Sequence, residues 1–314
     1  MKVLITGAAG FVGSALHNRL QHEPSALGMP ITEIILTDHA PQPIAPKASR
    51  TTWTQGDLTS ADFIAKLVAH QPDVVFHLAS LPGGEAERRF LAGHRVNLDA
   101  TLMLFEQLAA THPCTVVFSS TIAVYGAPLP ASINAHTPLR PPISYGAHKL
   151  IGEILLADYS RRGLLDGRSV RLPGIVARPM QASGLASAFM SDLLHTLAAG
   201  KSFVCPVSSC ATAWWMSVRC CVDNLIHAAQ LPASRLNSDR AVQLPVLRLS
   251  MSEMVDALCG VYGPNRRRLV RYEPEESVER IFGRYPVLDD QYGRALGFTD
   301  DGSAEMLVRN ALNR

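Results

Sequence analysis

The sequence has almost no excess of charge of either sign. Among its 314 residues, 29 Lys and Arg are balanced by 27 Asp and Glu, which leaves a formal net charge of +2 at pH 7. A nucleic acid or an acidic membrane surface attracts proteins with a clear basic surplus, so we expect neither as a partner. The arginines at 266–268 and 271 could form a local anion patch, although such runs are usually solvated faces. A small-molecule ligand is the expectation.

Long hydrophobic runs and paired cysteines are also missing. No apolar run reaches the roughly 18 residues that a bilayer-spanning helix needs, and Met1 leads into an apolar run without a secretory signal pattern. The cysteines at 114, 205, 210, 220, 221 and 259 form no C-x-x-C pair and no Cys/His ligand spacing. We therefore expect reduced, mostly buried thiols, no metal site and a cytoplasmic protein.

The sequence does contain a regular alternation of short apolar runs and amphipathic stretches. Strands are predicted at 2–6, 33–37, 51–54, 74–78, 116–119 and 169–172, and helices at 10–21, 60–70, 95–110 and 145–162. The alternation predicts an α/β fold, a Rossmann doubly wound parallel sheet, over residues 1–172. Beyond Pro173 the alternation breaks, and we expect 173–314 to form mainly a smaller substrate-binding lobe. This boundary is soft because a helix near 222–230 could pack on the first lobe.

A glycine triad follows the first predicted strand. In "ITGAAGFVG", Gly7 suits a tight turn, Gly10 lets the backbone approach a pyrophosphate at a helix N-terminus, and Gly13 allows close packing of helix on strand. Such turns also occur for purely structural reasons. An acidic residue at the end of the next strand, Asp38, completes the pattern of a dinucleotide site.

Asp38 also bears on the choice of cofactor. A carboxylate there accepts from the ribose 2′-hydroxyl and repels a 2′-phosphate, which favours NAD over NADP. Asp38 could instead cap the proline-broken loop that follows, and a protonated His39 beside it could tolerate a phosphate. Asp57, followed by Leu58, is the next candidate contact, toward the adenine amino group, or else an N-cap of the following helix.

Two further segments point toward the middle of the cofactor. "FHLAS" ends the strand at 74–78 and places Ala79 and Ser80 there. Asn97, in "RVNLDAT", could reach back toward the ligand edge of the sheet, or it could face solvent.

A tyrosine and a lysine four residues apart are the candidates for chemistry. Tyr145 and Lys149 in "SYGAHK" lie on one face of a predicted helix. An isolated tyrosine has a pKa of about 10, but a nearby ammonium favours the phenolate, which can take a hydroxyl proton. The spacing also occurs by chance in helices. The hydroxyls of Ser119, Ser120 and Thr121 end a strand upstream, and position alone does not choose among them.

These motifs together resemble the extended short-chain dehydrogenase/reductase family, also called the NAD-dependent epimerase/dehydratase family. The resemblance rests on "TGAAGFVG", "HLAS", "FSSTIAVYG", "YGAHK" and "RLPGIVARP" in this order. More narrowly, "RVNLDAT", "SSTIAVYGAP" and "LADYSRRGLLDGRSVRLP", with the later "CPV" and a W-x-x-S pattern, resemble the family's D-erythronate dehydrogenases. That resemblance implies NAD-dependent oxidation of the C2 hydroxyl of a small sugar acid, D-erythronate.

The resemblance assigns roles residue by residue. It makes Tyr145 the general base, Lys149 its activator and a ligand of the nicotinamide ribose, and Thr121 the hydroxyl that aligns the substrate, with Ser120 as the alternative because the family usually has serine at position 121. The remaining implied cofactor contacts are Phe11, Val12, Leu58, Leu78, Ser119, Leu172 and Ile175. The implied substrate contacts, besides Thr121 and Tyr145, are Ser80, Arg178, Trp214 and Ser217.

Several alternatives stay open at this point. Arg178 suits a bidentate carboxylate or a surface salt bridge, and Trp214 with Trp215 could form a stacking floor or simply core. Thr212 stands where the relatives tend to have arginine, which puts the substrate in question. A nucleotide-sugar epimerase and a non-catalytic NAD-binding protein are the rival functions. The apolar faces around 101–110 and 151–159 suggest a homodimer by resemblance, unless they are used within the monomer.

Overall fold

The computed structural model describes residues 1–41, 50–126, 128–180 and 187–312. Most of the predicted loop after Asp38, 42–49, therefore lies outside the described residues. The strands are β1 (Lys2–Thr6), β2 (Glu33–Asp38), β3 (Thr51–Gln55), β4 (Val74–His77), β5 (Thr115–Thr121), β6 (Ser132–Ile133), β7 (Asp166–Leu172), β8 (Gly174–Val176), β9 (Phe203–Cys205), β10 (Thr212–Ser217), β11 (Ala241–Gln243), β12 (Leu247–Ser250), β13 (Val270–Tyr272) and β14 (Val287–Leu288).

The helices alternate with these strands. They are α1 (Phe11–His22), α2 (Ala61–Val68), α3 (Gly83–Arg88), α4 (Phe90–His94), α5 (Ala100–Thr111), α6 (Ser144–Arg161), α7 (Ala188–Ala198), α8 (Val218–Gln230), α9 (Met251–Tyr262), α10 (Glu276–Phe282), α11 (Gln291–Leu296) and α12 (Ala304–Ala311). A π-helical turn, Arg95–Asp99, joins α4 to α5. Among the helices of the described residues, none combines the length and the apolar character that a membrane span requires.

The chain forms two compact units. Unit 1 comprises Met1–Ala127, Leu139–Leu172 and Val222–Gln243, and unit 2 comprises Pro128–Pro138, Pro173–Cys221 and Leu244–Arg314. The part of α8 from Val222 onward and all of β11 thus belong to unit 1.

Unit 1 contains a parallel sheet with the order β11-β7-β5-β4-β1-β2-β3. Its central strands are nearly continuous apolar runs because both faces are covered. Leu4, Val75 and Phe118 pack with side chains of α2 and α5 in one buried cluster. The strand order reverses between β1 and β4, and ligands bind at the carboxyl ends of the strands at such a switch point. The predicted Rossmann fold is confirmed.

Most of the predicted elements of unit 1 are present, with shifted ends. The strand predicted at 169–172 begins at Asp166, and that predicted at 116–119 continues to Thr121. The helix predicted at 95–110 is π-helical over its first turn and α-helical only from Ala100. The short helices α3 and α4 gave no periodic signal, because each is too short to show an amphipathic repeat.

Unit 2 is built on a small mixed sheet, β12-β10-β8, in which β10 runs antiparallel to β12 and parallel to β8. Trp215 lies in a buried cluster with apolar side chains of α7, α9 and α12. In the arginine cluster, Arg267 pairs with Asp256 and Arg271 with Glu273. All six cysteine positions fall within described segments, where they form no disulfide and most of the thiols are buried.

Candidate active site

The glycine loop between β1 and α1 is too tightly packed for side chains. Gly7 has φ +70°, and a Cβ on it would lie 2.7 Å from the amide nitrogen of Ala79, which follows β4. A Cβ on Gly13 would lie 2.2 Å from the carbonyl oxygen of Gly7. The loop therefore needs glycine at both positions, one for conformation and one for close approach.

The N-terminus of α1 suits an anion. Its N-cap is Gly10, no side chain caps it, and its first turn has no acidic residue. The start of α1 therefore carries neither a side-chain cap at Gly10 nor a negative charge in its first turn. The partial positive charge of a helix N-terminus favours a phosphate at such a position. With the loop that a Cβ would fill, this arrangement fits a dinucleotide pyrophosphate.

Asp38 lies at the end of β2, against the glycine loop. Its Oδ2 accepts a hydrogen bond from the amide of Ala9 at 3.0 Å, and its Oδ1 accepts one from the amide of Ala40 at 3.0 Å. Each carboxylate oxygen has two acceptor sites, so the group can still accept from a hydroxyl. The geometry thus fits the predicted hydrogen bond from an adenosine ribose to Asp38. The contact of Asp38 with the Ala40 amide leaves acceptor sites for it.

Asp57 has a different local role from the one considered in the sequence. Its Oδ1 accepts from the amide of Thr59 at 2.9 Å in a turn, and the N-cap of α2 is Ser60, whose hydroxyl accepts from Phe63 at 3.3 Å. The N-cap interpretation of Asp57 is wrong, because the N-cap of α2 is Ser60, three residues later. Asp57 is exposed and Leu58 half-buried, and their contacts with a cofactor stay predictions.

A chain of buried hydrogen bonds holds the loop after β4. Thr6 Oγ1 accepts from the amides of Leu78 and Ala79, both at 3.2 Å, so its proton goes to His77 Nδ1 at 2.8 Å. His77 Nε2 then donates to Thr101 Oγ1 at 2.9 Å. Burial, with a smaller contribution from the charge of Lys149, lowers the pKa of His77 to about 3, so the ring is neutral.

Asn97, in the π-helical turn, forms hydrogen bonds with the same loop after β4. Its Oδ1 accepts from the amide of Leu81 at 2.7 Å, and its Nδ2 donates to the Leu81 carbonyl at 3.0 Å. The side chain is buried, so the solvent-facing alternative is wrong. Direct contact of Asn97 with a cofactor remains a prediction. Ser80, between the two fastened positions, is half-buried.

Tyr145 and Lys149 lie in the first two turns of α6. A Cβ on Gly83 at the start of α3 would lie 3.6 Å from Tyr145 Cδ1, so the phenol ring lies beside the segment that follows Ser80. Lys149 Nζ is 5.9 Å from the centre of the Tyr145 ring and 4.6 Å from that of Phe118. Lys149 is 1% exposed, and burial lowers its pKa to about 7.

The three hydroxyls at the end of β5 are not equivalent. Ser119 Oγ donates to the carbonyl of His77 at 3.0 Å, and Ser120 Oγ donates to the buried carboxylate of Glu153 in a short hydrogen bond. Thr121 Oγ1 accepts from the amide of Ala123 at 3.1 Å, and its proton has no acceptor within the described part of the chain. The geometry therefore favours Thr121 over Ser120 as a hydroxyl available to a ligand.

The start of α6 packs directly on the turn that follows Thr121. A Cβ on Gly146 would lie 2.2 Å from the carbonyl oxygen of Ala123. Thr121 and the first turn of α6, which carries Tyr145, are consequently brought together within unit 1. Leu172, the last residue of β7, pairs with Thr121 in the sheet register.

The other predicted site residues belong to unit 2. Ile175 is buried in β8, and Arg178 follows that strand, where its amide donates to Ser191 Oγ at 3.2 Å and its carbonyl lies 2.9 Å from His195 Nε2. Arg178 lines a pocket of about 110 Å³ within this unit.

Trp214 and Ser217 have structural partners in unit 2. Trp214 is 1% exposed and donates from Nε1 to the carbonyl of Pro286 at 2.8 Å. Ser217 is fully buried and donates to Asp301 Oδ1 at 2.6 Å. Trp214 and Trp215 are core, as one of the two interpretations held. The geometry gives no support to Trp214 and Ser217 as substrate contacts, because neither presents a surface to a ligand.

Sequence reasoning missed two charged residues of this region, Glu153 and Arg171. The Glu153 side chain is 3% exposed and the Arg171 side chain 13% exposed. The two form an ion pair, and Glu153 also accepts a hydrogen bond from Ser120. An acidic residue four positions after Lys149, on the inward face of a predicted helix, was a signal that could have found Glu153. Within the described segments, no group of three or more His, Cys, Asp or Glu side chains could hold a metal ion.

The chain belongs to the NAD dependent epimerase/dehydratase family, whose model matches residues 3–240. It is 38% identical to a D-erythronate dehydrogenase of Cupriavidus necator, with 98% of this chain and 97% of that protein covered. It is 33% identical to a D-erythronate dehydrogenase of Haemophilus influenzae, with 98% of each covered. A solved structure titled nucleoside-diphosphate-sugar epimerase, from Agrobacterium tumefaciens, is similar with a TM-score of 0.92, 37% identity, and coverage of 98% of this chain and 92% of that one.

The family and these relatives define the class of protein. The chain is an enzyme, an oxidoreductase of the short-chain dehydrogenase type that uses a nicotinamide cofactor.

Proposed function

We propose that this enzyme oxidises the C2 hydroxyl of a small sugar acid with NAD, converting D-erythronate to 2-oxo-D-erythronate. The observation that carries the proposal is that Lys149 Nζ lies 5.9 Å from the Tyr145 ring, on a helix whose first turn packs on the turn that follows the available hydroxyl of Thr121. Two relatives of nearly equal length bear the name D-erythronate dehydrogenase, which supports the choice of substrate.

The residues that would hold the cofactor lie along the carboxyl ends of β1, β2 and β4. The amides at the start of α1 would bind the pyrophosphate, and Asp38 would accept from the adenosine ribose. Asp38 favours NAD, because a 2′-phosphate would meet its negative charge. When bound, the dinucleotide supplies a hydride acceptor for the substrate carbon.

Tyr145 is the proposed general base. The Thr121 hydroxyl donates a hydrogen bond to the substrate oxygen and so holds it near Tyr145, whose phenolate takes the hydroxyl proton and becomes a phenol as the C–H bond breaks. The Lys149 ammonium favours the phenolate form by its charge. Its own pKa of about 7 makes that charge sensitive to pH near neutrality.

Arg178 is the proposed partner of the substrate carboxylate, and Ser80 a further substrate contact. A guanidinium presents a fork of N–H donors that matches a carboxylate, which a sugar acid has and a neutral polyol lacks. The backbone of Arg178 is fixed on both sides by Ser191 and His195. A fixed backbone lowers the cost of ordering the side chain on a ligand.

A nucleotide-sugar epimerase is the second candidate, since the Agrobacterium structure carries that title at 37% identity. Dehydratases of the family resembled here have Asp-Glu after the active-site hydroxyl, whereas Ile122 and Ala123 follow Thr121. That difference leaves epimerisation, not dehydration, as the alternative. An epimerase would keep its NAD tightly bound and produce no net NADH.

The experiment that tests the function is a substrate screen with cofactor controls. The protein is mixed with NAD or NADP and with D-erythronate, aldonates and uronates of four to six carbons, and NADH formation is followed by absorbance. We expect turnover with D-erythronate and NAD. The function is wrong if no sugar acid yields NADH while a nucleotide sugar is interconverted.

The variant Tyr145→Phe tests the proposed base in the same assay. It removes the phenol oxygen and keeps the ring, so turnover should fall by about 10²-fold or more while NAD affinity stays near that of the wild type. Retained turnover would exclude Tyr145 as the base.

We further propose a cytoplasmic homodimer that forms through α5 and α6. Ile151 and Ile154 on α6 are 39% and 61% exposed, which leaves an apolar face available for a second copy. Sedimentation velocity of wild type and Ile154→Glu checks this. A wild type that sediments as a monomer at all concentrations contradicts it.

A further inference from the structure

Glu153 sits two helical turns after Tyr145 and one after Lys149, on the same face of α6. It is 3% exposed. Its carboxylate accepts a short hydrogen bond from Ser120 Oγ, and it binds Arg171 through Nε at 3.0 Å and Nη2 at 2.7 Å. Arg171 also donates from Nη1 to the phenol oxygen of Tyr125 at 3.3 Å.

This network joins three elements. Glu153 belongs to α6, Ser120 to β5 and Arg171 to β7. Ser120 directly precedes Thr121, the proposed substrate-aligning hydroxyl, and Glu153 is on the helix that carries the proposed base. The Glu153 carboxylate therefore links α6, which carries Tyr145, to β5, which ends in Thr121.

The helix has no room to approach β5 more closely. A Cβ on Gly152 would lie 2.8 Å from the ring of Phe118, and one on Gly146 would lie 2.2 Å from the Ala123 carbonyl oxygen. These contacts set the distance between α6 and β5. The hydrogen bonds of Glu153 to Ser120 in β5 and to Arg171 in β7 add directional contacts that further restrain sliding of α6 along its axis.

Stability alone does not account for a buried ion pair at this place. Removing two charges from water is costly, and a well-packed apolar set of similar volume is often as stable or more stable. Burial by itself would lower the pKa of Arg171, but the bonds and the charge of Glu153 raise it above its ordinary value. Arg171 thus stays charged, and its hydrogen bonds to Glu153 have a defined geometry.

We propose that Glu153 is a positioning residue for the oxidation: by binding Ser120 and Arg171 it fixes the register of α6 against β5, and so sets Tyr145 relative to Thr121. The inference rests on the proposed function of Tyr145 and Thr121. Glu153 touches neither substrate nor cofactor in this proposal and acts only through the helix and the strand.

The variants Glu153→Gln and Arg171→Lys test the inference in the wild-type background. Glutamine can still accept from Ser120 but loses the ionic bond to Arg171, and lysine keeps the charge without the fork. Because a misplacement of about 1 Å can cost about 10²-fold in rate, we expect kcat to fall roughly 10- to 100-fold for Glu153→Gln and less for Arg171→Lys. KM for the sugar acid and Kd for NAD should change by less than about threefold, since ground-state binding is not altered.

Asp166→Asn is the matched control. Asp166 is the first residue of β7, so it lies at the amino end of this strand, whereas the proposed site lies at the carboxyl ends of the strands. It pairs with the buried Arg168 and with Arg240. Like Glu153→Gln, Asp166→Asn removes the carboxylate that pairs with a buried arginine, here Arg168, and it should lower the melting temperature. If Glu153 is merely structural, both variants lose activity only in proportion to unfolded protein, and kcat per folded molecule stays at the wild-type value. That result would overturn the inference.

A double-mutant cycle separates positioning from direct catalysis by Ser120. If Ser120 acts through Glu153, the losses in Ser120→Ala and Glu153→Gln are not additive in the double variant. Additive losses contradict the link between them. Arg171→Lys carries the same test should Glu153→Gln fail to fold.

Crystal structures of the wild type and Glu153→Gln provide a readout that needs no turnover. The distance between Tyr145 Oη and Thr121 Oγ1 should differ by about 1 Å or more between them, the displacement that the rate effect requires. An unchanged distance overturns the inference even if the wild type is active. An inactive wild type with a changed distance would instead count against the proposed function and leave the positioning role supported.

Discussion

Replacing Lys149 with methionine separates the energetic cost of its buried ammonium from its chemical use. Burial lowers the pKa of Lys149 from 10.5 to about 7. Each pH unit between the folded and unfolded pKa corresponds to about 1.4 kcal/mol, so the ammonium costs the folded state on the order of 5 kcal/mol below about pH 7. Between about pH 7 and 10.5 the unfolded chain binds more protons, so wild-type stability rises with pH and the cost disappears.

Methionine has a similar length and carries no charge. The variant Lys149→Met should therefore exceed the wild type in free energy of unfolding by several kcal/mol at about pH 6, and the gain should shrink toward zero by about pH 10. Turnover should be lost at every pH, because the phenol has lost its neighbouring charge.

Urea unfolding of the nucleotide-free protein over this pH range measures the difference. Lys66→Met, at an exposed position of α2, is the control for removing a lysine from unit 1. The reasoning is refuted if the stability difference between wild type and Lys149→Met is the same at the two ends of the pH range, since a desolvated ammonium requires it to change.

Two further changes test the cofactor site. Gly13→Ala places a Cβ 2.2 Å from the Gly7 carbonyl oxygen and should weaken NAD binding at least about tenfold in a fluorescence titration, because a tenfold loss needs only about 1.4 kcal/mol; an unchanged Kd would mean that the loop does not hold the pyrophosphate. Asp38→Asn removes the charge that opposes a 2′-phosphate, so the ratio of kcat/KM for NAD over NADP should fall about tenfold or more. A constant ratio would show that Asp38 does not select the cofactor.

Most strands of unit 1 and the glycine loop could be predicted from the sequence because their signals are local. Gly7, Gly13 and Asp38 lie within one strand-helix-strand unit, and the spacing of such a unit is set by the fold itself. The positions of Tyr145 and Lys149 on one helical face likewise follow from the period of the helix.

The contacts that select among candidates are long-range and could not be predicted in this way. Ser120 and Glu153 are 33 residues apart, so no local pattern shows that one hydroxyl is occupied and that of Thr121 is available. The π-helical turn that aims Asn97 at Leu81 depends on packing, not on periodicity. Trp214 could be read as a ligand platform or as core, because burial depends on neighbours distant in sequence such as Pro286.

The origin of the transferred hydrogen is the most direct test of the central claim. D-erythronate carrying deuterium at C2 is oxidised with NAD, and the reduced nicotinamide is analysed by mass spectrometry. The account predicts that the reduced cofactor carries the deuterium and that Tyr145→Phe, with its NAD affinity intact, produces almost none. Unlabelled NADH, or full turnover in that variant, would contradict the account.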